Sequence, residues 1–284
     1  MNETTDDQKA AGALRPQVEP LRPRRPRRGD YLTPRTQSFC WRVEQLAGEG
    51  GFALITGAPG TGKSVALRIL ADRLGGQHDV KIGILSRPQA GIVDFFRELG
   101  DLFSVALRPN NRWGGSKLLR ERWQTYIDAS LSRPVLIVDE AQEMVPSVLA
   151  ELRLLSSVRL DSHILLTVVL AGDGRLVDRF RSDELLPLGS RIRVRLALER
   201  ASSDELQECL RHALNKAGAP KLMTPELIAT LADHAQGNLR TLMNMAAELL
   251  AIAAEREARH IDEKLFLETY AQPPPEKIAG GRRR

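Results

Sequence analysis

Short apolar runs alternate with stretches of helical periodicity along the first two thirds of the chain. The runs are short, and the third of them shows no polar alternation, which is typical of a strand that is buried on both faces. They fall at residues 52–56, 80–85, 134–138, 164–170 and 192–196. Helical spacing is found between them, at residues 34–47, 64–74, 91–107, 116–131 and 145–158. This alternation predicts a parallel sheet that is covered by helices on both sides.

The pattern changes near residue 197, after which only helical spacing remains. Four helices are predicted, at residues 202–217, 224–235, 238–256 and 262–270. Thr224 precedes Pro225 as a helix cap precedes a first-turn proline, and Asn238 is a candidate cap of the next helix. We therefore expect an α/β fold with two domains and two tails. The domains are residues 31–196 (α/β) and 197–271 (all-helical), and the tails are residues 1–30 and 272–284.

Composition adds limits on the class of protein. The chain has 284 residues, of which 42% are hydrophobic and 27% charged, and this excludes a mostly disordered protein. No uncharged apolar stretch reaches 18 residues, and the polar, acidic N-terminus is unlike a secretory signal. Cys40 and Cys209 lie far apart, without metal-binding spacing. We expect both to be reduced thiols in a bacterial cytoplasmic protein that contacts no membrane.

The net charge of +5 lies in the two predicted tails, because basic and acidic residues balance between residues 31 and 271. Prolines interrupt an arginine run near the N-terminus and favour an extended chain. Such a run is either an arm that grips phosphates or a solvated tail that aids solubility. The C-terminal triplet 282–284 is weaker evidence. The arginines of the N-terminal run are Arg22, Arg24, Arg25, Arg27 and Arg28.

Residues 57–64 fit the pattern G-x-x-x-x-G-K-[ST], after a predicted strand and before a predicted helix. Glycines allow the backbone to fold around a phosphate with its N–H groups pointing inward, and the helix start adds partial positive charge. Lys63 supplies a full charge to the outer phosphates, and Ser64 offers a hydroxyl to Mg²⁺. We call this segment the phosphate loop; its residues are Gly57, Ala58, Pro59, Gly60, Thr61, Gly62, Lys63 and Ser64.

Two carboxylates follow the third predicted strand. Asp139 and Glu140 come directly after the apolar run 134–138, at the end of a strand where α/β proteins bind their ligands. We expect Asp139 to hold Mg²⁺ and Glu140 to polarise the water that attacks the γ-phosphate of ATP. The alternative is an acidic pair that is simply exposed at a strand end. Together with the phosphate loop, the pair favours ATP hydrolysis over nucleotide binding alone.

With these motifs, residues 31–271 resemble the AAA+ ATPases. Asp139 and Glu140 look like the end of the Walker B motif, and the helical part looks like the family's lid. Residues 237–240, Gly-Asn-Leu-Arg, resemble the sensor 2 motif. The resemblance implies that Arg240 reaches the γ-phosphate, for which the planar fork of a guanidinium is suited. The alternative is an ordinary arginine on a helix surface.

The resemblance also implies an arginine finger, a residue that projects into the neighbouring subunit's nucleotide from just before the last strand. Arg191 best fits that position, and Arg179, Arg181 and Arg193 are rivals. The sensor 1 position, usually Asn, Thr or Ser, falls on Asp173, which departs from the family. A carboxylate there repels a triphosphate unless Mg²⁺ or an arginine intervenes.

Within that family, three segments are similar to the ExeA-like group. They are residues 31–34 (Tyr-Leu-Thr-Pro), 139–142 (Asp-Glu-Ala-Gln) and 170–173 (Leu-Ala-Gly-Asp). The group includes secretion ATPases and transposition regulators of the TnsC, TniB and MuB kind, with IstB more distant. Tyr31 is a candidate to flank the adenine ring, although packing of this aromatic ring on the core is an equal alternative.

We expect first a regulator of DNA transposition. It would bind ATP, form a ring or filament on duplex DNA, and recruit or activate a transposase, with a target-selection protein as a further partner. The basic tails and the near-minimal length of the chain favour this hypothesis, with largely non-specific contacts to phosphates. Lys117 and Arg120, with Arg122 nearby, are candidates to line the DNA path, unless they form only a solvated helix face.

The alternative is a cytoplasmic ATPase that acts on a protein partner in secretion or assembly. The neutral centre of the chain suits this function better than it suits DNA binding. A third hypothesis, loading of a replication initiator, is less favoured because no winged-helix domain is expected after residue 271. In each case ATP would bind between subunits, so that oligomerisation depends on the nucleotide.

Overall fold

The structure, a computed structural model, describes residues 31, 33–107, 112–158, 163–258 and 260–270. The arginines at 22–28 and the C-terminal triplet, predicted to contact polyanions, lie outside these residues. Within the described part, no helix combines the length and the apolar character needed to cross a bilayer.

Among the described residues, seven strands form two sheets. Their bounds are β1 Gly51–Gly57, β2 Val80–Leu85, β3 Arg133–Val138, β4 Ser157–Val158, β5 His163–Ile164, β6 Thr167–Gly172 and β7 Ile192–Leu198. Five strands make a parallel sheet in the order β2-β3-β6-β1-β7, while β4 and β5 pair as a small antiparallel ribbon. Because the large sheet is parallel, the carboxyl ends of all its strands meet at one edge.

Helices occupy most of the remaining chain. They are α1 Pro34–Glu49, α2 Lys63–Gly75, α3 Ile92–Phe103, α4 Arg112–Ser130, α5 Pro146–Ser156, α6 Gly174–Arg179, α7 Leu186–Gly189, α8 Ser203–Lys216, α9 Pro225–Ala235, α10 Leu239–Glu255 and α11 Glu263–Tyr270. A 3₁₀ turn, Ala141–Glu143, follows β3 directly.

The central strands β1, β3 and β6 are buried on both faces, whereas the edge strand β7 alternates buried and exposed residues. Phe52 and Leu54 of β1 join the core beneath α3, α4 and α5, whereas Ala53 and Ile55 join the core beneath α1 and α2. This division follows from the period of two along a strand, which sends successive side chains to opposite faces. The predicted α/β fold, with helices on both sides of a parallel sheet, is therefore confirmed.

The last four helices pack around a core of their own. We call residues 203–270 the helical unit; its buried side chains include Leu206, Leu227 and Leu242. Each of its first three helices begins at a polar cap. Ser202 forms a capping box with Glu205, and the other two caps are Thr224 and Asn238, as expected.

The fourth strand lies later in the chain than its apolar run predicts. Residues 164–170 were expected to form it, but Ile164 pairs with Ser157 in the ribbon and β6 begins only at Thr167. Leu165 and Leu166 between them are buried. The apolar run thus spans two strands and a buried connection, which periodicity alone does not separate.

Two helix bounds also differ from expectation. The helix predicted at 91–107 ends at Phe103, where Ser104 adopts a left-handed conformation with φ of 57°. The helix predicted from residue 116 begins at Arg112 and includes Gly115, a poor helix former. A Cβ on Gly115 would lie 3.4 Å from the ring of Phe96, so the missing side chain permits close packing of α4 on α3.

Candidate functional site

The phosphate loop links the carboxyl end of β1 to the start of α2. Gly60 and Gly62 have φ of 84° and 99°, a left-handed conformation that glycine adopts without steric cost. No described side chain caps α2 at Gly62. The first N–H groups of this 13-residue helix have no partners within the helix, so its N-terminus favours an anion.

Lys63 holds a positive charge inside this loop. Its side chain is buried, with a relative exposure of 5% for the residue. The ammonium Nζ donates to the carbonyl oxygens of Gly57 at 3.0 Å and of Ala58 at 3.2 Å. Because both acceptors are neutral carbonyls, the charge of Lys63 is not cancelled by them, and the loop remains suited to phosphate oxygens.

Ser64 meets the first of the two predicted carboxylates. Ser64 Oγ donates to Asp139 Oδ2 at 2.6 Å, although β6 separates β1 from β3 in the sheet. The start of α2 bridges this gap above the carboxyl ends of the strands. A hydroxyl beside a carboxylate is a set of hard oxygen ligands, which fits Mg²⁺.

Glu140 has an unusual backbone at the end of β3. Its φ of 51° and ψ of 40° place it in the left-handed region, and its N–H donates to Asp139 Oδ1 at 2.9 Å. Non-glycine residues with this conformation occur preferentially at functional sites. The turn exposes the Glu140 side chain, which lines the same cavity as the phosphate loop.

That cleft, with a cavity volume of about 230 Å³, is lined on its other side by α10 of the helical unit. Arg240, predicted from the sequence to face the γ-phosphate, is one of its lining residues. The cavity thus collects a lysine, an arginine, a glutamate and a serine around one space. The residues that line it are Gly60, Gly62, Lys63, Ser64, Val65, Glu140, Leu239, Arg240 and Met243.

The helical unit also bonds directly to the phosphate loop. Asn238 Nδ2 donates to the Pro59 carbonyl at 3.2 Å, and the Arg240 N–H donates to the Gly60 carbonyl at 3.3 Å. A Cβ on Gly60 would lie 2.1 Å from Asn238 Oδ1. This position therefore requires glycine for the contact with α10 as well as for its backbone conformation. The sequence suggested Asn238 as a helix cap and as part of the segment 237–240, but not as a contact of the phosphate loop.

An adjoining cavity of about 80 Å³ has a mostly apolar lining and shares Gly62, Val65 and Leu239 with the first. Tyr31, the candidate for the adenine ring, lines it. Its hydroxyl donates to Glu208 Oε2 on α8 at 2.8 Å, and this hydrogen bond raises the pKa of Tyr31 to about 12. Other lining residues are Thr33, Thr36, Thr61, Ala66, Ile69, Leu198, Ala201, Glu205, Leu206, Cys209 and Gly237.

Asp173, the residue at the expected sensor 1 position, caps a helix and pairs with an arginine. It is the N-cap of α6, where Oδ1 accepts from the Arg175 N–H at 3.0 Å. Oδ2 pairs with Arg175 Nε at 2.9 Å, and Arg175 also reaches Glu143. An arginine thus accompanies this carboxylate, which offsets its repulsion toward a nearby anion.

Arg191 directly precedes β7, at the sheet edge opposite the phosphate loop. Phe52 pairs with Ile192 and Gly57 with Leu198, so the loop lies at the far end of β7. At about 3.3 Å per residue, that separates Arg191 from its own loop by roughly 20 Å. The residue cannot contact a phosphate in its own subunit without rearrangement of the sheet.

The three rival arginines have internal partners. Arg179 donates to the carbonyls of residues 142 and 144, at 2.6 and 2.7 Å. Arg181 pairs with Asp178 at 3.3 Å, and Arg193 pairs with Glu49 at 2.7 Å. These contacts give the rivals structural roles within one subunit.

The predicted DNA contacts in the α/β part lie on α4. Lys117 Nζ is 3.8 Å from Glu121 Oε1 and 6.0 Å from the ring centre of Trp113, which is 75% exposed. Arg120 is half-buried. Their role in binding DNA stays a prediction, as does that of the arginines at 22–28, which lie outside the described residues.

One polar residue of the site escaped the sequence reasoning. Gln142 is buried, with 8% exposure, and its side chain joins Glu140 to the end of β6. Its only signal in the sequence was its place in the Asp-Glu-Ala-Gln segment, which a single chain does not distinguish from an ordinary turn residue.

Known proteins resemble this chain in sequence and in fold. Residues 46–180 match the family described as "AAA domain". General secretion pathway protein A of Aeromonas hydrophila is 33% identical over 215 residues, which cover 74% of this chain but 38% of that protein. The chain therefore spans well under half the length of this relative.

Two solved structures show the same fold at low identity. Cdc6p of Pyrobaculum aerophilum has a TM-score of 0.66 and 16% identity, covering 83% of this chain and 66% of its own. ORC1 of Aeropyrum pernix, solved in complex with DNA, has a TM-score of 0.65 and 18% identity, covering 85% and 66%. Residues 46–180 are thus similar to the AAA domain family, and the chain has the parallel-sheet α/β fold of these solved structures.

Proposed function

We propose that the protein is an AAA+ ATPase that binds ATP with Mg²⁺ and hydrolyses it to ADP and phosphate. The cavity that gathers Lys63, Ser64, Glu140 and Arg240 carries this proposal. The phosphate loop and the N-terminus of α2 supply positive potential for a polyphosphate. The adjoining apolar cavity offers a place for the adenine ring, with Tyr31 at its wall.

The residues divide the chemistry among them. Lys63 and the loop N–H groups bind the phosphates, while Ser64 and Asp139 would hold Mg²⁺. When bound, the ion supplies charge neutralisation to the phosphate oxygens. Glu140 orients and polarises the attacking water, and Arg240 contacts the γ-phosphate from the helical unit.

Arg191 acts in this proposal on the nucleotide of a neighbouring subunit. Its place at the opposite edge of the sheet rules out contact with its own phosphates in this arrangement. A guanidinium that approaches from a second copy would stabilise charge in the transition state. The active form is therefore a homo-oligomer, in which the nucleotide links one subunit to the next.

We propose further that the ATPase acts on a protein partner in secretion or assembly, in the cytoplasm. The similarity to general secretion pathway protein A, at 33% identity, supports this function. So does the balance of basic and acidic residues between residues 31 and 271, which gives the centre of the chain no net attraction for a polyanion.

Binding to duplex DNA in transposition is the second candidate. The five arginines at 22–28 support it, together with the similarity in fold to an origin-recognition protein solved with DNA. In this function the protein would assemble on DNA through phosphate contacts and recruit or activate a transposase, with a target-selection protein as a further partner.

One experiment separates the two candidates. ATP hydrolysis and DNA affinity are measured from about 50 to 200 mM salt, for the full chain and for a chain without residues 1–30. The DNA function requires stimulation by duplex DNA, a steep loss of affinity with salt, and strong weakening by the deletion. The protein-partner function requires hydrolysis that responds to neither DNA nor the deletion. Failure to bind ATP at all would overturn both.

A further inference from the structure

Gln142 occupies the space between Glu140 and the end of β6. It lies in the 3₁₀ turn Ala141–Glu143, and its amide makes two hydrogen bonds in opposite directions. Nε2 donates to Glu140 Oε2 at 2.5 Å, while Oε1 accepts from the Asp173 N–H at 3.3 Å. The side chain is thus a bridge from the proposed catalytic carboxylate to the first residue after β6.

The residues around Gln142 hold its side chain and its turn in this position. A Cβ on Gly172 would lie 2.7 Å from Gln142 Oε1, so a larger residue at the end of β6 would displace the amide. Two arginines of α6 fix the turn that carries Gln142. Arg179 donates to the main-chain carbonyls of Gln142 and Met144, and Arg175 joins Glu143 to Asp173.

Glu140 needs such a partner because little else restrains it. Its side chain is exposed, and its left-handed backbone turns it out of the strand into the cavity. An exposed glutamate samples several rotamers, and orienting one water molecule requires a single position. The amide of Gln142 donates to one carboxylate oxygen and leaves the other available.

We propose that Gln142 is a positioning residue that holds Glu140 in place for hydrolysis. The side chain of Gln142 connects the Glu140 carboxylate to the end of β6. Asp173 takes part in this connection through its backbone N–H group and not through its carboxylate. The inference rests on the proposed ATP hydrolysis, and it gives a role to a buried amide to which the sequence alone assigned none.

The test uses two variants of the full chain. Gln142→Met keeps the length of the side chain and removes both hydrogen bonds. Gln142→Glu keeps the size and places a second carboxylate beside Glu140, which repels it. We expect both to lower kcat by about 10- to 100-fold, with KM and the Kd for ATP within about threefold of the parent. If Gln142→Met does not fold, Gln142→Glu carries the test.

A double-mutant cycle distinguishes positioning from general damage. Because Gln142 acts through Glu140, Gln142→Met should lower the residual rate of Glu140→Gln by less than about twofold. The matched control is Gln124→Met, the same substitution at a glutamine of α4 whose amide donates to Asp128 and which does not line the cavity. Its kcat should stay within about twofold of the parent.

Two results would overturn the inference: a kcat of Gln142→Met within twofold of the parent, or a further large loss in the Glu140→Gln background. The proposed function fails separately, when the parent chain itself neither binds nor hydrolyses ATP.

Discussion

Ser64 Oγ donates a 2.6 Å hydrogen bond to Asp139 Oδ2, across 75 residues of sequence. The contact joins the first turn of α2 to the carboxyl end of β3, over the strand that separates β1 from β3. Two oxygen-bearing side chains in contact, next to the buried ammonium of Lys63, form a suitable place for a phosphate-bound Mg²⁺.

Asp139→Asn should therefore weaken the binding of Mg²⁺ more than the binding of nucleotide. An amide keeps one oxygen but loses the negative charge that attracts the ion. We expect the Mg²⁺ concentration for half-maximal hydrolysis to rise about tenfold. This corresponds to a loss of about 1.4 kcal/mol in the free energy of Mg²⁺ binding. A Mg²⁺ titration of the ATPase rate measures this, and Asp128→Asn on α4 is the control. An unchanged titration would remove Asp139 from the proposed metal site.

Glu140→Gln should bind ATP and fail to hydrolyse it. The amide keeps the size of the side chain but cannot polarise water as a carboxylate does, so kcat should fall by about 100-fold or more. Retention of a fluorescent ATP analogue and phosphate release are the two measurements. The trapped protein should remain oligomeric and bound to its partner, whether that is DNA or protein. A variant that hydrolyses ATP at the normal rate would refute this role.

Arg240→Ala should reduce both ATP affinity and hydrolysis, because it removes a guanidinium from the cavity beside Glu140. We expect about a tenfold loss in kcat/KM, with a smaller loss of ADP affinity, since ADP has no γ-phosphate. Arg256→Ala, which removes an arginine at the other end of α10 that pairs with Glu268, is the control. Equal effects on ATP and ADP would contradict contact with the γ-phosphate.

Mixed oligomers test the position of Arg191. Lys63→Ala should abolish nucleotide binding, and Arg191→Ala should abolish hydrolysis while ATP still binds. In a mixture, a subunit with Arg191→Ala supplies an intact loop and its neighbour with Lys63→Ala supplies an intact arginine, so the ATPase rate should partly recover. Recovery requires that the arginine act between subunits. Absence of recovery, with oligomers shown to mix, would exclude this arrangement.

Asn238→Ala should have two effects. Loss of the α10 cap should destabilise the helical unit by about 1 kcal/mol, seen as a lower midpoint of thermal unfolding. Loss of the hydrogen bond to the Pro59 carbonyl should also change ATP affinity. Thr224→Ala removes the cap of α9, which accepts from Leu227 N, and should reproduce the first effect only. If the two variants behaved alike, the contact with the loop would have no role in binding.

The sequence predicted the layers of the fold and the phosphate loop well, because both depend on local patterns. A few neighbouring residues are enough to predict each of these features: the five apolar runs, the glycines at 60 and 62, and the acidic pair after β3. The helix caps Thr224 and Asn238 are equally local. The position of β6 was wrong by several residues, since one apolar run includes both Ile164 of the ribbon and the start of the strand.

Contacts between distant segments could not be predicted in the same way. The bridge from Gln142 to Asp173 depends on the strand order, and the bond from Asn238 to Pro59 depends on how α10 meets the loop. Neither contact can be predicted from a local pattern in a single sequence. Asp173 looked unfavourable for a different reason: its partner Arg175 is only two residues away, but the two side chains pair only where Asp173 caps the start of α6.

Tyr31 lies between the α/β part and the helical unit. Tyr31 lies shortly after the arginines at 22–28 in the sequence, and its hydroxyl donates to Glu208 of α8 beside the apolar cavity. Two residues later, Thr33 caps α1. One short stretch of chain therefore touches both walls of the nucleotide cleft. The Tyr31–Glu208 hydrogen bond therefore ties the stretch that leads into α1 to α8 of the helical unit, so its loss would remove one of the links between the two parts of the molecule.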